Sequence, residues 1–371
     1  MTILIVTMHR GNNYGSALQV YALSETLKTL GHNPIVLDYI PPRINFKSEV
    51  KHALKSLCRI GPIREKYDAL RGLMILISSK LLYDSFFRKN INLTKPYYSI
   101  DALKKDCPQA DIYMTGSDQV WNSFHNKGIE YAFYLDFVPD KATRIAYAAS
   151  FGKECLDEWE IPETKRLLEQ YQAISVRESS AVNILGEMGI PGVVVLDPTF
   201  LLSKDEWLKR LPPLKVKEKY LLIYSVEPNK NNLIAYSKLI ADKLGLKIYL
   251  VEWGLRKYNG VDKMLSLLSP LRLLSYFYNA SFVVASSFHG TALSINMNKQ
   301  FVSIAPSKFN TRVKSLLNLV KLNQRYFDKD TFQIEPALMP IDYTEVNAIL
   351  SELRYKSMSF LTSAINSNKG K

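Results

Sequence analysis

Short apolar runs recur along this chain, each ending in small or polar residues and each followed by a helix-like stretch. That alternation leaves few architectures open, because parallel strands buried on both faces need crossover helices between them. The first run, residues 3–7, leads through a loop at 11–15 into a helical stretch at 16–30 that Gly31 stops. Further strands are expected at 34–39, 111–115, 143–148, 173–176 and 192–196. A break at Leu211-Pro212-Pro213-Leu214 and the charged Lys215 to Lys219 precede a second series at 220–225, 246–251, 282–285 and 301–304. The pattern predicts an α/β chain of two Rossmann-like units, residues 1–210 and 215–340, with parallel sheets facing a central cleft. Residues 341–371 form a helix at 343–364, whose docking partner the sequence leaves open, and a frayed tail from 366.

Composition narrows the class. With 371 residues, 47% of them apolar, two cores are affordable. The three cysteines, Cys58, Cys107 and Cys155, are far apart and lack metal-ligand spacing, so neither a disulfide framework nor a metal site is expected. No basic leader opens the chain and no apolar stretch approaches the roughly 20 residues that span a bilayer, so a cytoplasmic protein is expected. The formal charge of +13 is concentrated: residues 43–95 hold twelve Lys or Arg against four acids. Within that insertion Phe46, Val50, Leu54 and Leu57 share one helical face, while Lys47, Lys51 and Lys55 share another. Such a helix suits the anionic inner face of a membrane, and equally suits a surface helix with a solvated basic side. No recognition motif accompanies the charge, so nucleic acid is not an expected partner.

The best-placed of the five histidines follows the run Phe282-Val283-Val284-Ala285, in Ser286-Ser287-Phe288-His289-Gly290-Thr291. Hydroxyls, an imidazole and the Gly290 amide would gather there at a helix N-terminus, which attracts anions. The plainer reading makes Ser286 or Ser287 the helix cap. Near the start, Asn13, Tyr14 and Gln19 surround Gly15, and later Trp121 and Asn122 follow Asp118. Such mixtures of amides and rings bind sugars, although Asp118 also reads as a cap, Trp121 as core, and Asp197 before Pro198 as a structural turn.

Six segments, Asn13 to Gln19, Gly116 to Asn122, Ala148 to Gly152, Ser175 to Glu178, Leu196 to Thr199 and Ser287 to Thr291, together resemble the polysaccharide pyruvyl transferases, over roughly residues 10–325. The resemblance implies a GT-B-like fold and transfer of the pyruvyl group of phosphoenolpyruvate onto two sugar hydroxyls of a bacterial surface glycan. The product would be a pyruvate ketal, with phosphate released and no cofactor or metal required. A polyprenyl-diphosphate-linked sugar is one form of acceptor. By the resemblance Arg177 and His289 contact the donor, with Ser287, Gly290 and Thr291 beside them, and His289 is the candidate acid. Ser287 stands where one branch of the family has an arginine, and Arg312 matches a downstream arginine able to supply the missing charge. Asp118 is the candidate base, and Asn13, Tyr14, Gln19, Trp121 and Asn122 the candidate acceptor side. The alternatives are a glycosyltransferase of the same architecture using a nucleotide-sugar donor and a non-catalytic glycan-binding protein.

Overall fold

The computed structural model describes residues 1–44, 46–58, 63–254, 257–305, 311–328 and 332–367. Among these, twelve strands form two sheets of six. The first comprises β1 (Thr2–Val6), β2 (Asn33–Val36), β3 (Ile112–Thr115), β4 (Thr143–Ala149), β5 (Ala173–Val176) and β6 (Val193–Val194), in the order β2-β1-β3-β4-β5-β6. The second comprises β7 (Tyr220–Tyr224), β8 (Lys247–Val251), β9 (Lys263–Leu265), β10 (Phe282–Ala285), β11 (Gln300–Ile304) and β12 (Tyr326–Phe327), in the order β12-β11-β10-β7-β8-β9. Every pairing between these strands is parallel.

This order places the functional edge. In the first sheet the chain runs from β1 outward to β2 and then crosses to β3 on the other side; in the second it runs from β7 to β8 and β9 and then crosses to β10. Each sheet therefore has a switch point, between β1 and β3 and between β7 and β10, where the loops at the strand C-termini diverge and leave a crevice.

Alternation along the strands divides the interior. Ile3 and Ile5 of β1, Tyr220 and Leu222 of β7, and Val283 of β10 all enter one core that runs continuously across both sheets. Leu4 and Val6 face a second core behind the first sheet, while Leu221, Ile223 and Val284 face a third behind the second. Period-two side-chain direction and helices on both faces account for the uninterrupted apolar runs.

Several boundaries differ from expectation. β6 is only two residues long, and β9 and β12, which carry no long apolar run, lie at the edges of the second sheet. The first helix begins at Tyr14 because the Asn13 side chain caps it, accepting from the Gly15 and Ser16 amides. The last helix, Tyr343–Asn366, touches both halves: the Tyr343 hydroxyl donates to the Lys299 carbonyl, Arg354 Nε donates to the Phe200 carbonyl at 2.7 Å, and Ser357 Oγ accepts from Leu196 N at 3.0 Å. Of the expected frayed tail, residues 368–371 lie outside the described residues.

The basic insertion forms two packed helices, Phe46–Cys58 and Ile63–Asn90. Phe46, Val50 and Leu57 of the shorter one are half-buried, and Lys80 of the longer lies over the Phe46 ring. The apolar face of the shorter helix is therefore largely a packing face, with Leu54 its exposed member. Among the described residues no helix is long and apolar enough to cross a membrane.

Candidate active site at the meeting of the two sheets

Both switch points deliver side chains to one cluster. From the β1–β3 side come Ser16, Ser117 and Asp118; from the loop after β5 comes Arg177; from the turn after β6 comes Asp197; and from the start of the helix after β10 come Phe288 and His289. Arg312, at the start of the helix Thr311–Leu319, approaches from the second half.

Asp197 is the hub. Its Oδ1 accepts from the Thr199 amide at 2.9 Å and the Thr199 hydroxyl at 2.8 Å, which makes the turn that Asp-Pro-Thr predicts. Its Oδ2 accepts from Arg177 Nη1 at 2.9 Å and Ser117 Oγ at 3.2 Å, and lies 3.7 Å from His289 Nε2. That separation is longer than a hydrogen bond. Burial opposes the charged form of Asp197, yet His289, Arg177 and the Thr199 amide hold its carboxyl well below the usual range. Sequence alone gave this residue only its turn; the second oxygen carries the rest.

Asp118 is held differently. Its Oδ2 accepts from Ser16 Oγ at 2.5 Å, its Oδ1 from the Gln119 amide at 2.9 Å, and Arg177 Nη2 stands 3.5 Å from that Oδ1. The backbone has φ of 83°, a left-handed conformation that Asp tolerates and that concentrates at functional sites. Burial would raise its carboxyl, but Arg177, then His289, Ser16 and Arg312, bring it to about 2. Asp118 is therefore a carboxylate throughout the neutral range and a weak base.

The two arginines flank the Phe288 ring, Arg177 at 4.3 Å and Arg312 at 5.7 Å from its centroid, and differ in what they face. Arg177 is buried between two carboxylates, which keep it charged against the effect of burial. Its guanidinium is committed to its own chain. Burial, reinforced by Arg177, pulls Arg312 down to about 10, and no carboxylate pairs with it among the described residues. Its Nε is buried without a hydrogen-bond partner. Cations in contact with no anion, beside a helix N-terminus, form a binding place for phosphate or carboxylate.

His289 is pinned by a glycine of the other half. A Cβ added at Gly15 would stand 2.1 Å from His289 Cγ and Nδ1, so the ring edge lies directly on the Gly15 backbone. His289 Nε2 is buried without a hydrogen-bond partner and points to the Asp197 side. The helices Tyr14–Thr29 and Phe288–Asn296 thus bring their N-termini together at this contact.

Other expected site residues are committed to packing or capping. Ser287 Oγ caps its helix by accepting from Gly290 N at 3.1 Å, so that amide is occupied. A Cβ at Gly290 would stand 2.7 Å from Tyr224, which makes it a close-packing glycine. Thr291 is buried, its hydroxyl paired with Ser303 and the Ser287 carbonyl. Four of the positions expected on the acceptor side are buried. Tyr14, 1% exposed, stacks on Trp253 at 4.4 Å; Trp121, 1% exposed, packs between Tyr134 and Phe151. Gln19 is fully buried and donates to Thr7 Oγ1, and Asn122, also fully buried, caps a short helix through His125 N. Asn13 is half-buried and acts as the helix cap. Among the described residues no group of three His, Cys, Asp or Glu side chains is placed to hold a metal ion.

Comparison with curated protein sequences returns no match. Among solved structures, the Staphylococcus aureus MnaA–UDP complex superposes with a TM-score of 0.51 at 12% identity, covering 97% of this chain and 91% of that one. A putative UDP-N-acetylglucosamine 2-epimerase from Listeria monocytogenes gives 0.53 at 10% identity, covering 99% and 96%. These likenesses establish the fold alone, a GT-B-like pair of parallel six-stranded sheets with surrounding helices. The model of the polysaccharide pyruvyl transferase family matches residues 13–308, a span that contains every member of the cluster except Arg312, and the chain belongs to that family of transferases.

Proposed function

We propose that the chain transfers the pyruvyl group of phosphoenolpyruvate to two hydroxyls of one sugar residue in a surface polysaccharide or its lipid-linked precursor. The observation that carries this reading is the guanidinium of Arg312, unpaired with any carboxylate among the described residues, over the ring of Phe288 at the N-terminus of the Phe288–Asn296 helix. Arg312 stays protonated at neutral pH, and a donor with a phosphate and a carboxylate supplies the directly contacting anion that its guanidinium lacks among the described residues.

The chemistry follows from the roles available. His289, as imidazolium, delivers a proton to the methylene carbon of the enolpyruvyl group, leaving oxocarbenium character at the adjacent carbon. Asp197 stabilises that imidazolium at 3.7 Å and orients the ring, with Gly15 forming the opposite wall. The first sugar hydroxyl adds to the cationic carbon, and only then does it become acidic enough to yield its proton to a carboxylate as weak as Asp118. The C–O bond to phosphate next breaks and phosphate leaves with the electron pair, Arg312 offsetting its charge. The second hydroxyl adds to the regenerated cation, loses its proton and closes the ketal. One proton enters at carbon and two leave the hydroxyls, one of them to phosphate.

The test is phosphate release from phosphoenolpyruvate with a panel of galactosides, glucosides and mannosides, free and lipid-linked. Acceptor-dependent release that falls at least about 100-fold in His289→Ala is expected, the usual worth of a positioned acid. Thermal stabilisation by nucleotide sugars and none by phosphoenolpyruvate would overturn the donor assignment.

A further inference from the structure

The helix Ile63–Asn90 carries a feature that the transfer reaction does not use. Tyr67, Leu70, Met74, Ile77 and Leu81 are 40–61% exposed and follow one another at spacings of three and four residues. That spacing keeps them in one line along the helix, about 21 Å long at 1.5 Å per residue. Lone exposed apolar residues are ordinary, but a continuous line marks a contact surface. It continues past Leu81 into a groove walled by Phe86, Leu211 and Leu271 and edged by Lys89, Lys209 and Arg210.

The charges around the line select its partner. Lys66, Arg71 and Lys80 flank it, Arg71 lying over the Tyr67 ring at 5.2 Å, and Lys51 and Lys55 are exposed on the neighbouring helix. Glu65 and Asp68 are the acids at its N-terminal end, and Asp84 answers Lys80. Residues 43–95 as a whole carry eight more positive than negative side chains. Pairing the line with a second copy would bring two such basic flanks together, whereas an anionic lipid surface accepts both the apolar line and the cations.

We propose that this face seats the protein peripherally on an anionic bilayer surface, Met74, Ile77 and Leu81 entering the headgroup boundary and the flanking lysines and arginines meeting lipid phosphates. The proposal is independent of the reaction assigned above, and its test requires no turnover. Flotation of the full chain is compared on phosphatidylcholine vesicles with and without phosphatidylglycerol, at physiological salt, for the wild type, Lys51→Glu with Lys66→Glu, and Met74→Ser with Leu81→Ser. All four positions are exposed, and thermal melts verify that the variants fold. The wild type should float with the anionic vesicles alone, the charge-reversal pair should weaken binding at least roughly fivefold per cation, and the serine pair should remain at the bottom. A wild type that fails to float, or floats equally well with neutral vesicles, refutes the proposal. So does light scattering that shows a dimer dissociated by the serine pair, which would assign the line to a second copy.

Discussion

Substituting Gly15 by alanine isolates the contact on which the site depends. The new methyl would stand 2.1 Å from His289 Cγ and Nδ1 and 2.6 Å from its Cβ. Carbon atoms in contact prefer about 3.5–4.0 Å, so the overlap is about 1.5 Å, too large for side-chain adjustment at a buried ring. Forced overpacking of this kind costs about 1–3 kcal/mol, against which alanine returns at most about 1 kcal/mol of helix propensity. Gly15→Ala should therefore lower stability by up to about 2 kcal/mol in the wild type. With His289→Gly the obstruction is gone and the same change should be neutral or stabilising. With His289→Ala relief should be partial, because the Cβ 2.6 Å away remains. Urea unfolding of the single and double variants gives coupling energies, expected at about 1–3 kcal/mol with glycine and less with alanine. A coupling below about 0.5 kcal/mol, the scatter of independent sites, would show that the two helix N-termini do not meet as described.

The two arginines should separate stability from binding. Arg177→Ala leaves Asp197 and Asp118 without their buried cation and should cost about 3–5 kcal/mol in a denaturant melt. Arg312→Ala removes a half-buried cation with no carboxylate in contact among the described residues, so stability should hold or rise while donor-induced thermal stabilisation falls, by about 10-fold or more in affinity. Asp118 shares an acid limb with Asp197: its carboxyl lies at about 2 folded against an ordinary 3.8, so its own contribution of about 2 kcal/mol is present above pH 3.8 and is lost as pH falls toward 2. Urea midpoints measured from pH 5 to 2 should flatten in Asp118→Asn; an unchanged slope would place the acid sensitivity elsewhere.

Strands were legible where both faces are buried, since Phe282–Ala285 and Ala173–Val176 are apolar or small throughout and end at polar loops. Lys263–Leu265 and Tyr326–Phe327 were not, because an edge strand of two or three residues needs no apolar run. The candidate site was readable as loops but not as side-chain directions. Trp121 and Gln19 share a loop or helix with site residues, and residue type says nothing about which way a ring or amide turns. Asp197 illustrates the opposite limit: a turn motif accounts for one carboxylate oxygen, and only the three-dimensional arrangement reveals the partners of the other. The line on the helix Ile63–Asn90 escaped because its apolar residues are too numerous to show which face the fold would cover.

The last helix imposes an order on biosynthesis. Leu196 N and the Phe200 carbonyl in the first half are satisfied by Ser357 and Arg354, which are translated more than a hundred residues later. At about 5–20 residues per second, the first half waits on the order of ten seconds for partners that the ribosome has not yet made. The first sheet thus emerges before the second yet is completed only with the last helix, so nascent chains halted before residue 343 would present an unfinished surface to chaperones.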